Sequence, residues 1–365
     1  MNPELAAPTA RSTQARPSAV VAAPKVPMIQ FVNSYRLGQL LSVAARLGVA
    51  DALASGPRPI AELAEATGAV ASSLYRVLRA LAALGVFEEV EPRVFGLTPL
   101  AATLRSDAPV SLRGAAAMLG EDWHWRTWSE LGHSVRTGAP AFDAIFGLEF
   151  NRAYEQDPAI QGSFDQASED LEKLAAASIR AAYSFDGVRL LVNVEAAGGF
   201  GGLLAGILNE YPETRGVFVD RDFVVGRAEQ RMRGSALAQR IRFVAWDSPQ
   251  PLPEGGDVYL LRNVLRDQDD AGARDVLTAC RAALGPGGRL LVVEMVIAPG
   301  NELSMGKIID IDALLFTALG RERSVAEYRA LLSASGFDVT RVIPTPGPLV
   351  LIEATASETK NGALK

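Results

Sequence analysis

One stretch, residues 190–203, restricts the fold of this chain more than any other. It begins with the apolar run Leu190–Val194, ends that run on the acid Glu195, and continues through glycines that include Gly199 and Gly201 into a helical repeat of leucines. This order is typical of a buried strand, a tight turn and the start of a helix, where glycine lets the backbone approach a ligand and free N–H groups face it. The stretch therefore predicts a ligand site at the end of a buried strand.

The next apolar run adds an acid in a corresponding position. Residues Gly216–Val219 end at Asp220, which lies 25 residues after Glu195. An acid about 20 residues beyond a glycine-rich turn commonly accepts hydrogen bonds from the hydroxyl pair of a ribose. The turn alone is a weak signal, but its combination with Asp220 predicts nucleoside binding. The competing interpretation is that Asp220 only caps the end of its strand.

From Gly187 onward, strand and helix signals alternate along the chain. Strands are predicted at 189–194, 216–219, 241–244, 257–261, 288–295, 337–343 and 348–354, and helices at 201–210, 223–238, 270–284 and 325–335. Such alternation is typical of a parallel, doubly wound sheet that binds ligands at the carboxyl ends of its strands. Only Pro344–Gly347 separates the last two strands, which leaves no room for a crossover helix. We therefore expect these two strands to pair antiparallel.

The residues before this sheet favour a small helical domain. Apolar residues recur at helical spacing from Met28 to about Ser106, and the runs Val86–Val90 and Arg93–Leu97 indicate a hairpin. Helices followed by a hairpin are typical of a winged helix. The net charge of −6 argues against nucleic acid as a partner. We expect a dimerisation or packing module, and the predicted fold class is α/β, a Rossmann-like sheet with an N-terminal α-helical winged-helix domain.

The predicted organisation has five parts. They are a disordered arm at 1–27, a winged-helix-like dimerisation domain at 28–107, a helical linker and substrate-pocket region at 108–185, the Rossmann-like domain at 186–356 and a tail at 357–365. The arm is rich in Ala, Pro, Ser and Thr and lacks a signal-peptide core, and no apolar run reaches the ~18 residues of a membrane span. The single cysteine, Cys280, lies in an apolar helical pattern, which favours core packing and a reducing compartment. We expect a cytoplasmic protein without a membrane partner.

The helical region from 108 to 185 is rich in aromatic side chains. Three of the four tryptophans fall within six positions, Trp123 to Trp128, and His124 lies among them. One interpretation is an aromatic core that joins two domains, and the other is a pocket for a planar organic substrate. His124 is likewise interpreted either as a structural histidine, which is the commoner case, or as a base.

With these pieces placed, the chain resembles the class I S-adenosylmethionine (SAM) dependent O-methyltransferases of the caffeate/hydroxyindole type over about residues 28–355. The resemblance is carried by Leu47-Gly48-Val49-Ala50-Asp51-Ala52-Leu53, Leu97-Thr98-Pro99-Leu100, Ala282-Ala283-Leu284-Gly285-Pro286-Gly287-Gly288-Arg289-Leu290-Leu291 and Gly320-Arg321-Glu322-Arg323-Ser324. It implies a winged-helix dimerisation domain, a homodimer, a SAM-binding domain at 186–356 and a small-molecule substrate.

The resemblance also implies a set of cofactor residues. They are Glu195, Gly199, Gly201, Asp220, Arg221, Trp246, Asp247, Ser248 and Arg262. Two positions depart from the family: Glu195 replaces its usual Asp, and Ala197 replaces one glycine of the turn. Asp247, like Asp220, has strand capping as its competing interpretation.

The largest departure from the family lies at Arg266. Family members have a His there that deprotonates a phenol, followed by Asp at the position of Asp267, and Glu294 and Glu322 match the carboxylates that orient that His. A guanidinium cannot accept a proton near neutral pH. Arg266 therefore either pairs with one of these carboxylates or donates hydrogen bonds to an oxyanion of the substrate. The catalytic candidates are Arg266, Asp267, Glu294 and Glu322, and no metal site is expected.

Three functions compete at this point. The first is methyl transfer to an oxygen of a small aromatic or polyketide-like secondary metabolite without the usual His base, for which proximity alone can supply ~7–11 kcal/mol. The second is a SAM-binding member that transfers no methyl group, of the pericyclase or hydroxylase type. The third is an inactive dimer partner of another enzyme. The first is preferred, and the candidate substrate residues are His124, Trp128, Phe146, Phe164, Asp312 and Phe316.

Overall fold

The computed structural model of the chain describes residues 28–195 and 199–357. The predicted arm at 1–27, the replaced turn residue Ala197 and all but the first residue of the predicted tail lie outside the described residues. The domain boundaries given above stay predictions. Within the described ranges, no helix has the length and apolar character needed to cross a bilayer.

The N-terminal part is a helical module with a small sheet. Its helices are α1 (Met28–Asn33), α2 (Tyr35–Arg46), α3 (Val49–Ala52), α4 (Ile60–Thr67), α5 (Ala71–Ala83) and α6 (Pro99–Ala102), and its strands are β1 (Arg58–Pro59), β2 (Phe87–Glu91) and β3 (Val94–Leu97). The predicted hairpin is confirmed, and β1 adds a third strand in the order β1-β3-β2. Buried side chains such as Leu63, Leu78 and Phe95 form a separate core for this module.

Six helices link this module to the main sheet. They are α7 (Arg113–Met118), α8 (Asp122–Ser129), α9 (Leu131–Thr137), α10 (Ala141–Phe146), α11 (Phe150–Gln156) and α12 (Pro158–Ala182). The longest, α12, starts where the Asp157 side chain accepts the Ala159 N–H and Pro158 occupies the first helical turn, a pairing suited to a helix start. It packs along α7 on one side and against the first helix of the α/β domain on the other.

The α/β domain has a seven-stranded sheet in the order β6-β5-β4-β7-β8-β10-β9. Its strands are β4 (Leu190–Glu195), β5 (Arg215–Asp220), β6 (Ile241–Ala245), β7 (Val258–Arg262), β8 (Arg289–Met295), β9 (Phe337–Pro344) and β10 (Leu349–Ala356). The first five are mutually parallel, and β10 pairs antiparallel with both β8 and β9. The predicted parallel sheet and its antiparallel end are confirmed.

The helices of this domain depart from the prediction in two places. They are α13 (Gly202–Glu210), α14 (Asp222–Met232), α15 (Asp270–Ala283), α16 (Met305–Phe316) and α17 (Val325–Ala334). The prediction that α14 continues to residue 238 is wrong, because the chain turns at Gly234, whose φ is 81°. Helix α16 was not predicted, since its dense apolar residues hide the helical period.

The sheet order places a ligand crevice beside β4. From β4 the chain adds β5 and β6 on one side of the sheet and then returns to add β7 on the other side. The strand order therefore reverses between β4 and β7, which is a topological switch point. The register pairs Glu195 with Arg262 across β4 and β7, and Asp220 ends β5 on the other side. These three residues therefore meet at the carboxyl edge that α/β proteins use for ligands.

Candidate active site

The glycine turn connects β4 to α13. Gly201 has φ 74° and caps α13, and a side chain there would collide with Met232. A methyl group at Gly199 would overlap the carboxylates of Glu172 and Glu195. Both positions therefore require glycine, one for its backbone angle and one for the space beside it. The backbone at 196–198, between the end of β4 and Gly199, lies outside the described residues.

Asp220 ends β5 with its carboxylate fully buried. Its Oδ1 accepts the N–H of Arg221 at 2.7 Å, and its Oδ2 has no hydrogen-bond partner among the described residues. Burial raises the pKa of Asp220 well above its usual range, with the charge of Glu195 adding to the effect. The first oxygen thus does cap the strand end, whereas the second is a buried acceptor without a donor. A ribose hydroxyl pair supplies the missing donor, so this residue fits a nucleoside cofactor.

The segment after β6 lies against Asp220. The Trp246 N–H donates to the Asp220 carbonyl at 2.9 Å, and the indole N–H of Trp246 donates to the Gln250 carbonyl at 2.7 Å. Asp247 and Ser248 follow, the first exposed and the second half-buried. The buried indole holds the loop in place and leaves the Asp247 carboxylate free, as a contact to an adenine would require.

A charge cluster lies beneath the glycine turn. Arg262 Nη2 is 3.0 Å from Glu195 Oε2 and 3.5 Å from Glu172 Oε1, and all three side chains are at most 8% exposed. Asn193 donates a hydrogen bond of 3.0 Å to the other Glu195 oxygen. Arg262 therefore neutralises Glu195 inside the sheet edge. Arg221, at the start of α14, pairs with Glu155 at 3.5 Å on the rim of the same crevice.

Sequence reasoning missed Glu172, which comes from α12 and not from the α/β domain. Its Oε2 accepts the N–H of Gly202 at 3.1 Å, at the start of α13. One signal was available, because Glu172 lies three, four and seven positions before Ala175, Ala176 and Ile179, all of them buried. A glutamate on the apolar face of a helix indicates a buried charge with a specific partner.

Arg266 lies in the 3₁₀ helix Leu265–Asp267 that follows β7. Its Nη1 is 2.8 Å from Glu322 Oε1, and its Nε is 3.6 Å from Asp267 Oδ1. Neither Glu322 oxygen has an aligned hydrogen bond within the described part of the chain. The predicted pairing with a carboxylate is therefore present as an ion pair, while the guanidinium N–H groups keep capacity for another acceptor.

Several buried carboxyl groups lie around the single cation Arg266. Burial raises the pKa of Glu322 to about 7 and that of Asp267 to about 6, in each case against the attraction of Arg266. Burial also raises the pKa of Glu294 well above its usual range, and the Glu294 Oε1 accepts the Leu265 N–H at 3.1 Å. A fully buried carboxyl with one neutral donor favours its protonated form. Glu294 thus fixes the backbone of the 3₁₀ helix and adds little charge.

Aromatic rings gather around Phe316 at the end of α16. Its ring centroid lies 5.9 Å from His124, stacked, and within 5.9 Å of Trp123, Phe142 and Phe150. Burial lowers the pKa of His124 to about 4, and its Nδ1 has no partner among the described residues. His124 is therefore a neutral ring packed in an aromatic cluster, and it is a weak base.

Asp312 joins the aromatic cluster to Arg266. It precedes Phe316 by one helical turn on α16, and its Oδ1 accepts the indole N–H of Trp128 at 3.1 Å. Burial raises the pKa of Asp312 to about 6, while Arg266 and Trp128 oppose the shift. The structure therefore brings Asp312 into contact with Trp128, with Phe316 one turn away and Arg266 near enough to act on Asp312 electrostatically.

Two further predicted substrate residues, both partly buried, pack against the edge of the aromatic cluster. Phe146 contacts Phe142 at 4.6 Å between ring centroids, and Arg126 covers its ring. Phe164 packs edge-on against Phe150 and Tyr154 at 5.1 and 5.2 Å. Both pack against rings of the cluster, and their contact with a substrate stays a prediction.

The site as a whole combines a nucleoside crevice with a cluster of aromatic rings. Within residues 28–195 and 199–357, no group of His, Cys, Asp and Glu is arranged to hold a metal ion. A buried ribose-type acceptor at a switch point, beside planar rings and a cation, defines an enzyme class that places a nucleoside cofactor next to a small organic molecule.

Comparison with known proteins specifies the class. The model of the O-methyltransferase domain matches residues 128–338, and that of the O-methyltransferase dimerisation domain matches residues 29–107. The chain therefore belongs to the O-methyltransferase family with this N-terminal dimerisation domain, which confirms the predicted family. It is an enzyme that uses S-adenosylmethionine to methylate oxygen.

Individual relatives agree with this assignment. The chain is 39% identical over 327 residues to the phenazine O-methyltransferase PhzM of Lysobacter antibioticus, covering 90% of this chain and 95% of the relative. It is 36% identical over 316 residues to the mitomycin biosynthesis 6-O-methyltransferase of Streptomyces lavendulae, covering 86% and 89%. The crystal structure of CalO1, a methyltransferase in calicheamicin biosynthesis in its SAH-bound form, superposes with a TM-score of 0.79 at 32% identity, covering 90% and 97%.

Proposed function

We propose that this enzyme methylates a hydroxyl oxygen of a small planar secondary metabolite, with Arg266 as a hydrogen-bond donor to that oxygen in place of a histidine base. The observation that carries the proposal is the surroundings of Arg266, whose guanidinium acts electrostatically on Asp312 and makes no aligned hydrogen bond to Glu322. A donor at this point stabilises negative charge on a substrate oxygen. S-adenosylmethionine supplies the electrophilic methyl group.

The cofactor residues in this proposal are those at the carboxyl edge of the sheet. Asp220 accepts the ribose hydroxyls through its unpartnered Oδ2, and Asp247 and Ser248 lie beside the adenine. Gly199 and Gly201 keep the turn close to the cofactor, while Glu195 and Arg262 fix the sheet edge below it.

Asp312 is the residue that accepts the hydroxyl proton. One of its oxygens is held by Trp128, and the other makes no hydrogen bond within the described residues and is not fully shielded from solvent. A pKa of about 6 keeps Asp312 ionised near neutral pH and makes it a stronger base than an ordinary carboxylate. His124, with its pKa near 4, is less suited. The rival route is a substrate acidic enough to arrive ionised, which needs no base.

The relatives support a planar substrate. The two curated proteins are named for phenazine and mitomycin methylation, and methyl transfer is the activity in both names. The aromatic cluster around Phe316 offers stacking surfaces for such a ring system. A SAM-binding member without methyl transfer and an inactive dimer partner are both less favoured by these relatives.

We also infer a homodimer formed through the N-terminal module. The dimerisation-domain match covers that module, and its first helix exposes Met28, Ile29, Phe31 and Val32 by 54 to 72%. Apolar side chains exposed together on one short helix are typical of an association surface.

The test is transfer of labelled methyl from SAM to a set of hydroxyaromatic compounds, with the product analysed for the methylated atom. Asp312→Asn should lower kcat/KM by at least tenfold and remove the acid limb of the pH profile near pH 6. Trp128→Phe is the matched variant, because it keeps the ring but removes the hydrogen bond that lowers the Asp312 pKa. It should move the acid limb to higher pH. An unchanged limb in both variants would reject Asp312 as the base.

A further inference from the structure

Glu172 is an ionisable residue of the cofactor crevice that the proposed chemistry does not use. It belongs to α12, yet its carboxylate reaches the turn between β4 and α13, where it accepts the Gly202 N–H and lies against Gly199. Its side chain is 1% exposed. A buried glutamate that crosses between two parts of the fold to meet a cofactor turn requires a partner for its charge.

The charges in the described part of this crevice do not balance. Glu172 and Glu195 share one cation, Arg262, and Arg262 is closer to Glu195, at 3.0 Å against 3.5 Å. Asp220 adds a further buried carboxyl, with Oδ2 unpartnered in the described ranges. The crevice therefore carries an excess of acid, and an excess buried charge either takes up a proton or binds a cation.

We propose that Glu172 is a binding residue for the α-ammonium group of S-adenosylmethionine. The amino-acid end of the cofactor carries an ammonium and a carboxylate, and the sulfonium makes its total charge positive. A carboxylate beside the glycine turn attracts the ammonium and repels the other end, so Glu172 sets the direction of the amino-acid part. The inference rests on cofactor binding at this turn and is independent of the roles given to Arg266 and Asp312.

The protonation of Glu172 agrees with this role. Burial and the neighbouring Glu195 raise the pKa of Glu172 to about 8, so its carboxyl is mostly protonated at pH 7 in the free protein. An α-amino group, with a pKa near 7.7–8.0, is mostly charged at the same pH. When the ammonium arrives, it favours the ionised carboxylate, and the carboxyl proton leaves to solvent. Cofactor binding at pH 7 should therefore release close to one proton.

Glutamine is a close substitute for the protonated glutamic acid. Glu172→Gln keeps the size and an oxygen for the Gly202 N–H, and it removes only the ability to ionise. The free variant should therefore fold with a Tm close to that of the unmodified protein. Glu169→Gln is the matched control, because Glu169 lies one turn earlier on α12, is partly exposed and pairs with Lys173 at 2.9 Å.

The experiment measures binding of three ligands by titration calorimetry at pH 7 in two buffers of different ionisation enthalpy. SAM and S-adenosylhomocysteine carry the ammonium, the second without the sulfonium, whereas 5′-methylthioadenosine lacks the amino-acid part. Loss of one charge-assisted hydrogen bond predicts that Glu172→Gln weakens both amino-acid ligands about 10- to 100-fold. Methylthioadenosine should bind both proteins within twofold, and Glu169→Gln should behave as the unmodified protein.

The proton count gives a second readout that needs no variant. SAM and S-adenosylhomocysteine should each release about one proton more than methylthioadenosine, whose ribose alone accounts for any proton that Asp220 gives up. Equal weakening of all three ligands, no weakening of any, or equal proton release with SAM and methylthioadenosine would overturn the role of Glu172. Absence of binding by all three ligands to the unmodified protein would instead refute the cofactor site itself.

Discussion

Replacing Arg266 tests two interactions, its ion pair with Glu322 and its proposed hydrogen bond to the substrate oxygen. Arg266→Ala removes a charge-assisted hydrogen bond to the substrate, worth roughly 1.5–3 kcal/mol. The corresponding loss in kcat/KM is about 10- to 150-fold. Affinity for SAM should barely change, because Arg262 and Asp220, not Arg266, line the cofactor crevice.

The same variant changes stability in a pH-dependent way. With Arg266 present, the pKa of Glu322 is already raised to about 7, so this carboxyl is largely protonated at pH 6. Removing the cation therefore costs little stability at that pH. Without Arg266 the folded-state pKa rises further above the unfolded value. Stability then falls as pH rises past 7, by about 1.4 kcal/mol for each added pKa unit. In urea unfolding, the free energy of unfolding of Arg266→Ala should be slightly below that of the unmodified protein at pH 6 and further below it at pH 8.5.

A series of substrates with different hydroxyl pKa values tests how the substrate hydroxyl proton is removed. Labelled methyl transfer at pH 7 is measured for phenols with pKa values from about 7 to 10 in the unmodified protein, Arg266→Ala and Arg266→His. Arg266→Ala should lose most on the least acidic phenols, since the donor stabilises the ionised oxygen. Arg266→His restores the family's base beside Glu322, and its rate should rise through a pKa near 6.5. Equal rates for the unmodified protein and Arg266→Ala across the series would refute the donor role.

Three further predictions concern the cofactor, the assembly and the fold. Asp220→Ala should weaken SAM binding at least tenfold in calorimetry, since it removes the buried ribose acceptor, and equal affinities would contradict that assignment. Light scattering should give about twice 38.7 kDa for the full chain, and Phe31→Asp, at a residue 54% exposed, should shift it toward the monomer; a monomeric unmodified protein would contradict the dimer. Hydrogen bonds from Arg341, with smaller ones from Tyr183 and Thr340, lower the pKa of Glu353 to about 2, so its stabilisation is present above pH 4.5 and lost as pH falls toward 2. Glu353→Gln should therefore be less stable by about 2 kcal/mol at pH 7, with a gap that narrows at pH 3 in urea unfolding, and a constant gap would exclude this linkage.

Strands could be predicted from sequence because burial on both faces leaves a continuous apolar run. Strand β4 starts and ends within one residue of its prediction, and β10 within two. Helix ends were harder, since the end of α14 depends on a left-handed glycine rather than on the apolar period. Helix α16 was missed although it carries Asp312 and Phe316, because it is apolar on several faces and lacks the polar side that marks a surface helix.

The site residues also differ in whether their positions follow from the sequence pattern or from packing between helices. Asp220 could be found because a strand end next to a glycine turn fixes where its carboxylate lies. Glu172 could be recognised only as a buried charge, because it precedes the turn by 23 residues and reaches it only through the docking of α12 on α13. The sequence also predicted that Arg266 cannot serve as a base, which follows from its chemistry alone. It could not show that Glu322 would approach the guanidinium without an aligned hydrogen bond, since that depends on side-chain geometry.

An arginine at position 266 changes which residue can hold the proton. In a site with a histidine, buried carboxylates raise the basicity of the imidazole, and each of them must stay ionised to do so. Here the guanidinium is permanently charged, while Glu294 and Glu322 have raised pKa values and lie deep in the fold. Asp312 has a moderately raised pKa, one oxygen without a hydrogen bond in the described residues and a position one turn from Phe316. In the proposed function, the basic role therefore lies on α16 and no longer at position 266, and Arg266 holds the oxygen from which the proton is taken.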